Sequence, residues 1–116
     1  MDIFMNCFSL KSLDLTNFYT NDNINMYGMF YDCNSLTSLI FSNFKTNNQT
    51  NIIDIFYGCI SLRYIDISSF VTKTNIQLFD SLPNYCNIIM NSQSYQKISK
   101  IPTTCEMTFK NLWYYN

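Results

Sequence analysis

The chain has 116 residues, 47% of them hydrophobic and only 13% charged, with a net charge of −1 and no histidine. That is enough apolar material for one small domain with a core, and it excludes a disordered polar tract. The absence of a basic block argues against a nucleic-acid footprint or a polybasic membrane anchor, and no run of about 18 apolar residues is present to span a bilayer.

The opening stretch MDIFMNCFSL has neither a charged start nor a long apolar run, so it does not read as a secretory signal. It already lies inside a repeat. Residues 7–18 read CFSLKSLDLTNF, residues 33–44 CNSLTSLIFSNF and residues 59–70 CISLRYIDISSF. Phe4, Phe30 and Phe56 align, as do Cys7, Cys33 and Cys59; Ser9, Ser35 and Ser61; Leu10, Leu36 and Leu62; Phe18, Phe44 and Phe70; Thr20, Thr46 and Thr72. A fixed period of this size marks a stacked-coil architecture, because one short coil cannot bury its own apolar face while stacked copies share a continuous core.

Each unit carries a short strand. Leu13 and Leu15 alternate with Ser12, Asp14 and Thr16, and the same alternation recurs at Leu39 and Phe41 and at Ile65 and Ile67. Strands are therefore expected at Ser12–Leu15, Ser38–Phe41 and Tyr64–Ile67, stacked in parallel about 4.8 Å apart. Polar turn-forming stretches follow. Met26, Met29, Phe30 and Cys33 are then spaced i, i+3, i+4, i+7, as are Ile52, Ile55, Phe56 and Cys59. That spacing predicts a short helix on the outer side of each coil. Asn6, Asp32 and Gly58, just before the cysteines, are residue types that tolerate a left-handed conformation and would end that helix.

The units run 1–25, 26–51 and 52–77, with a degenerate fourth beginning at 78, so the repeats occupy 1–82. Residues 83–110 read as a C-terminal cap: a strand at Asn87–Asn91, a helix capped by Ser92 and running to about Lys100 with Tyr95 and Ile98 on one face, closure at Pro102, and a strand at Cys105–Phe109. Residues 111–116 form a tail. The fold class expected is α/β: a leucine-rich-repeat solenoid of parallel strands and short outer helices, with a strand–helix–strand cap.

The phrase CxSLxxLDLSxFxT…NMxxMFxxC resembles the 26-residue leucine-rich repeats of the BspA-like surface protein family, over residues 1–82. The stretch LPNYCNIIMNSQSYQKISKIPTTCEMTF is similar to that family's terminal unit, with Cys86 and Cys105 as departures from the usual form. The resemblance implies a non-enzymatic cell-surface or extracellular module for protein or glycan binding and adhesion, with no cofactor. An intracellular scaffold on the same solenoid is the alternative. A hydrolase using Asp14 and Asp66, two coils apart on the same outward column with Ile40 between, is a third reading, but solvated surface acids account for them far better.

The candidate binding residues are those of the outward sheet face: Ser12, Ser38 and Tyr64 in one column, Asp14, Ile40 and Asp66 in the next, and Lys11, Thr37 and Arg63 at the margin. Tyr64 and Arg63 are residue types that anchor interfaces. Thr16, Ser42 and Ser68 form a hydroxyl column, and Asn48-Gln49-Thr50 is a glycosylation sequon. Cys7, Cys33 and Cys59 are too far apart in sequence for a CxxC-type metal site and read as small buried hydrophobes. Cys86 and Cys105 precede two strands that a right-handed crossover would place side by side, and are a candidate disulfide if their Cα atoms lie within about 4.4–6.8 Å. The first coil has no neighbour before it, so the expectation is further repeats or self-association at the Leu10–Leu15 edge.

Overall fold

The computed structural model describes residues 4–17, 25–41, 46, 50–71, 78–79, 82–83, 85–96, 98, 101 and 104–110. Expectations that rest on Phe18, Thr20, Ser42, Phe44, Asn48, Thr72, Lys100, Pro102 and residues 111–116 lie outside the described residues. The architecture is a parallel-strand sheet arranged as a β-solenoid of about three turns. Strands β1 (Ser12–Asp14), β2 (Ser38–Ile40), β3 (Tyr64–Asp66), β4 (Asn87–Met90) and β5 (Glu106–Phe109) lie in the order β1-β2-β3-β4-β5, and all neighbours are parallel.

The register follows the repeat. Ser12 pairs with Ser38, and Ser38 with Tyr64, each 26 residues on; Tyr64 pairs with Asn87 after 23 residues, and Asn87 with Glu106 after 19. The coils thus shorten toward the C-terminus. What the sequence marks as a separate cap continues the same sheet by two strands. Leu82 donates its N–H to Phe79 (3.2 Å), as Cys59 does to Phe56, so Leu82 takes the place of the repeat cysteine in the fourth coil.

The expected outer helices are not formed. Residues 27–32 and 53–58 are chains of tight turns. Met29 N–H bonds to Met26 C=O, Tyr31 to Gly28 and Cys33 to Phe30, so odd-numbered amides close the turns. Even-numbered amides leave the coil: Gly28 N–H donates to Ile53 C=O (3.1 Å), Phe30 to Ile55 (3.0 Å) and Asp32 to Tyr57 (2.7 Å). An α-helix would have turned the Phe30 and Asp32 amides onto its own carbonyls. Left-handed residues recur four positions apart, at Gly28 (φ 60°) and Asp32 (φ 57°) and again at Asp54 (φ 54°) and Gly58 (φ 80°), and interrupt any helical run. Two four-residue turns in succession reproduce the spacing i, i+3, i+4, i+7. Met26, Met29, Phe30 and Cys33 are therefore all buried, as the sequence pattern requires, on a backbone of a different kind. We call this element the ribbon. Among the described residues its backbone bonds between coils, including Asn6 N–H to Tyr31 C=O and Met26 N–H to Asn51 C=O, all run from one coil to the next C-terminal one. Each ribbon opens on an asparagine whose Oδ1 accepts from the amide two residues on: Asn25 from Tyr27 (3.0 Å) and Asn51 from Ile53 (3.1 Å).

The core lies between ribbon and sheet. Phe4, Phe30 and Phe56 stack along the solenoid axis with centroids 5.3 and 6.4 Å apart, and Phe41 packs edge-on between Phe30 and Phe70. Leu39, Ile65 and Ile88 form the fully buried central ladder of the sheet, while Leu13, in the first coil, is half-buried.

The helix near the C-terminus is a single turn, α1 (Ser92–Tyr95), ending well short of Lys100. Its N-cap is Asn91, not Ser92: Asn91 Oδ1 accepts from Ser94 N–H (2.8 Å). The same side chain reaches back into the third coil, where Nδ2 donates to the carbonyls of Ser68 (3.0 Å) and Phe70 (2.7 Å). Ser94 Oγ also donates to Phe70 C=O. Those carbonyls lie where the repeat gives way to shorter coils, so a buried amide with both donor and acceptor capacity joins the two parts. Ile98 is buried as expected, and the half-exposed Tyr95 meets Phe109 of β5 edge-on at 5.1 Å.

Candidate functional site

Strict alternation on short parallel strands puts every second side chain of β1–β5 on the outward face, and exact register aligns them in columns. The first column reads Ser12, Ser38, Tyr64, Asn87, Glu106 and the second Asp14, Ile40, Asp66, Ile89, Thr108. The expected site residues are thus brought together, and the face is wider than the repeat alone indicates. Asn87, Ile89, Glu106 and Thr108 extend it, and the signal for them was the alternation in NIIM and EMTF. Tyr64, Ile40 and Ile89 form a half-buried group, with Ile40 and Ile89 flanking Asp66 in the second column and Tyr64 two residues before Asp66 on β3. Ser12, Asn87, Glu106 and Thr108 are exposed around it, with Lys11, Thr37 and Arg63 along the strand starts. Thr37 is held there by its hydroxyl, which donates to Lys11 C=O (2.9 Å).

Asp66 departs from its expected role. It sits in the outward column but is 3% exposed. Its Oδ1 accepts from Ser68 N–H (3.0 Å) and Ser68 Oγ (2.7 Å), and Oδ2 pairs with Lys110 Nζ at 3.2 Å. Lys110, carried in just after β5, covers the carboxylate, so Asp66 is a closed polar anchor beneath the face and not a surface contact. Asp14, in the first coil, makes the same local turn with Thr16, bonded to both its amide and its hydroxyl, but stays exposed. Those bonds, led by the hydroxyl, hold the Asp14 carboxyl below its ordinary value. A general acid needs the opposite shift. Ile40 lies between the two acids in register, one carboxylate is buried under a lysine, and the geometry does not assemble a catalytic pair.

Cys33 and Cys59 are fully buried, and each thiol donates to the phenylalanine carbonyl of the preceding coil: Cys33 Sγ to Phe4 (2.8 Å) and Cys59 Sγ to Phe30 (3.1 Å). The cysteine column is therefore a third set of ties between coils as well as filler. Cys86 and Cys105 directly precede the paired residues Asn87 and Glu106, as expected of neighbours; both are free thiols here. Among the described residues no group of three metal-ligating side chains comes together, and no helix is long and apolar enough to cross a membrane. Of the sequon, Thr50 is buried.

Burial pushes the thiols of Cys59 and Cys86 up to about 12, from an ordinary value of 9.0. The sign of the linkage follows. In the interval between those values the unfolded chain has lost protons that the folded chain keeps, so unfolding releases them. Stabilisation from these thiols is complete below pH 9.0 and is lost as pH rises toward about 12. The expected slope is about 1.4 kcal/mol per pH unit for each thiol. Denaturant melts at stepped alkaline pH would show it, with the Cys59→Ala/Cys86→Ala double variant flatter than the parent. Equal slopes in the two proteins would contradict the burial of both thiols.

No protein family, curated protein or solved structure matches the chain, so its function is read from this face and from the repeat.

Proposed function

We propose that the chain is a non-enzymatic binding module of the BspA-like leucine-rich-repeat type, acting at a cell surface or outside the cell, with the outward sheet face as the contact for a protein or glycan. The observation that carries this reading is the five-strand register. It sets the half-buried Ile40, Tyr64 and Ile89 among hydroxyl, amide and charged groups. Aromatic and apolar groups set among polar ones are common in interaction surfaces, and repeat solenoids present such faces rigidly. Parallel strands also space like groups about 4.8 Å apart, which suits an extended ligand with its own repeat.

The test is retention on an immobilised, heavily glycosylated secreted glycoprotein, before and after enzymatic deglycosylation. Wild-type chain should be retained, and Tyr64→Ala with Arg63→Ala should weaken retention at least about tenfold, the loss expected for a truncated anchor. Loss on deglycosylation assigns the glycan and persistence assigns the protein. Retention that ignores Tyr64 and Arg63, or no retention on either surface, would refute the sheet face as the contact.

A further inference from the structure

The ribbon carries a second exposed surface whose chemistry differs from that of the sheet. Tyr27, Ile53 and Tyr57 are 41%, 55% and 46% exposed. Tyr31, half-buried, stacks on Tyr57 with ring centroids 4.8 Å apart and an interplanar angle of 20°. The ribbon bonds from Gly28 to Ile53 and from Asp32 to Tyr57 set Tyr27 beside Ile53 and Tyr31 beside Tyr57. Large exposed apolar groups grouped on one surface call for a partner, where scattered ones do not.

Acids are set into this surface. Asp32 and Asp54 both occupy left-handed positions. Asp32 lies over Gly58: a Cβ built there would come within 2.0 Å of Asp32 Oδ1, so only glycine leaves room for the carboxylate. Residues 25–33 and 51–60 contain no lysine or arginine. Among the described residues the salt bridge found joins Lys110 to Asp66, on the other side of the coil. Burial pushes the Tyr31 phenol up, and the charges of Tyr57, Asp32, Tyr27 and Asp54 push it further, so these groups share one field.

We propose that this ribbon face binds a basic peptide segment of a partner protein, seating an arginine side chain against the Tyr31–Tyr57 stack with its charge toward Asp32 and Asp54. Arginine suits the surface better than lysine. Its planar guanidinium stacks on a tyrosine ring while its edge bonds a carboxylate in a fork. Two carboxylates beside the rings repel an anionic lipid surface, and a neutral sugar offers them no opposite charge, so complementarity favours a cation.

The experiment titrates the chain with fluorescent oligoarginine, oligolysine and oligoglutamate peptides and a neutral oligosaccharide. Oligoarginine should bind more tightly than oligolysine, and the other two should not bind. Asp32→Asn/Asp54→Asn keeps a residue type that accepts the left-handed backbone and should weaken oligoarginine binding about tenfold; Tyr57→Ala should do likewise. Asp14→Asn and Tyr64→Ala, both on the sheet face, should leave it unchanged, which separates this site from the sheet-face contact. Peptide binding should also lower the pH at which Tyr31 ionises, read by ultraviolet absorbance. A melt checks that each variant is folded. Binding that survives Asp32→Asn/Asp54→Asn, that falls equally in Asp14→Asn, or that favours the oligosaccharide would overturn the proposal.

Discussion

Leu39→Ala is expected to cost about 2–5 kcal/mol of stability, the range for emptying a fully buried leucine site. Leu39 is 0% exposed and lies between Leu13 and Ile65 in the central ladder of the sheet. Coils on both sides are held by backbone bonds in the sheet and in the ribbon, so neither can settle into the hole. Leu13→Ala removes the same atoms from a half-buried position in the first coil, where the wall can relax, and should cost clearly less. Equilibrium denaturant melts of the two variants decide the point. A loss below about 1 kcal/mol for Leu39→Ala, or the reverse order of the pair, would show that the ladder is not the rigid core it looks.

Asn91→Ala should cost about 2–4 kcal/mol, combining a lost N-cap with the loss of two amide bonds to buried carbonyls. Asn91 is 1% exposed and bonds Ser94, Ser68 and Phe70. Asn91→Ser keeps an oxygen that can cap α1 but cannot reach the two carbonyls, so it separates the contributions. The alanine variant should be the less stable of the two, and both should loosen the last two strands first. Hydrogen exchange at Ile88–Met90 and Met107–Phe109 would register that. Exchange that speeds up uniformly over all five strands would mean that Asn91 serves the whole solenoid, not the junction.

The strands were legible because alternation and the repeat speak with one voice at Leu13, Leu39 and Ile65: one pattern fixes face, register and neighbour together. The ribbon was not. Apolar spacing at Met26, Met29, Phe30 and Cys33 reports which side chains are buried, and a helix and a run of four-residue turns bury the same four. The difference lies in where the amides of Gly28, Phe30 and Asp32 send their protons, a choice made by the adjacent coil and hence invisible within the segment. The clue available was the recurrence of Gly and Asp every four residues, which is costly for helix and natural for turns. For the candidate face, position was readable and exposure was not. Asp66 shares a column with Asp14, yet Lys110, 44 residues on, closes over it. No local pattern encodes that lid.

The one-way sense of the ribbon bonds has an electrostatic consequence. In the sheet, amides point both ways between coils: Thr37 donates back to Lys11, and Phe41 forward to Asp66. Their dipoles largely cancel, as in sheets generally. Along the ribbon, among the described residues, every peptide that bonds to another coil donates forward, so the dipoles add coil by coil as they do along a helix. The solenoid therefore has a polar axis, electronegative at the first coil, where the Met5 carbonyl by the same geometry points away from Tyr31. Two first coils meeting about a two-fold axis would set acceptor against acceptor along this strip. Growth or self-association through that end must run head to tail, donors of the arriving coil onto carbonyls of the resident one, which is the heterologous, open-ended mode of assembly.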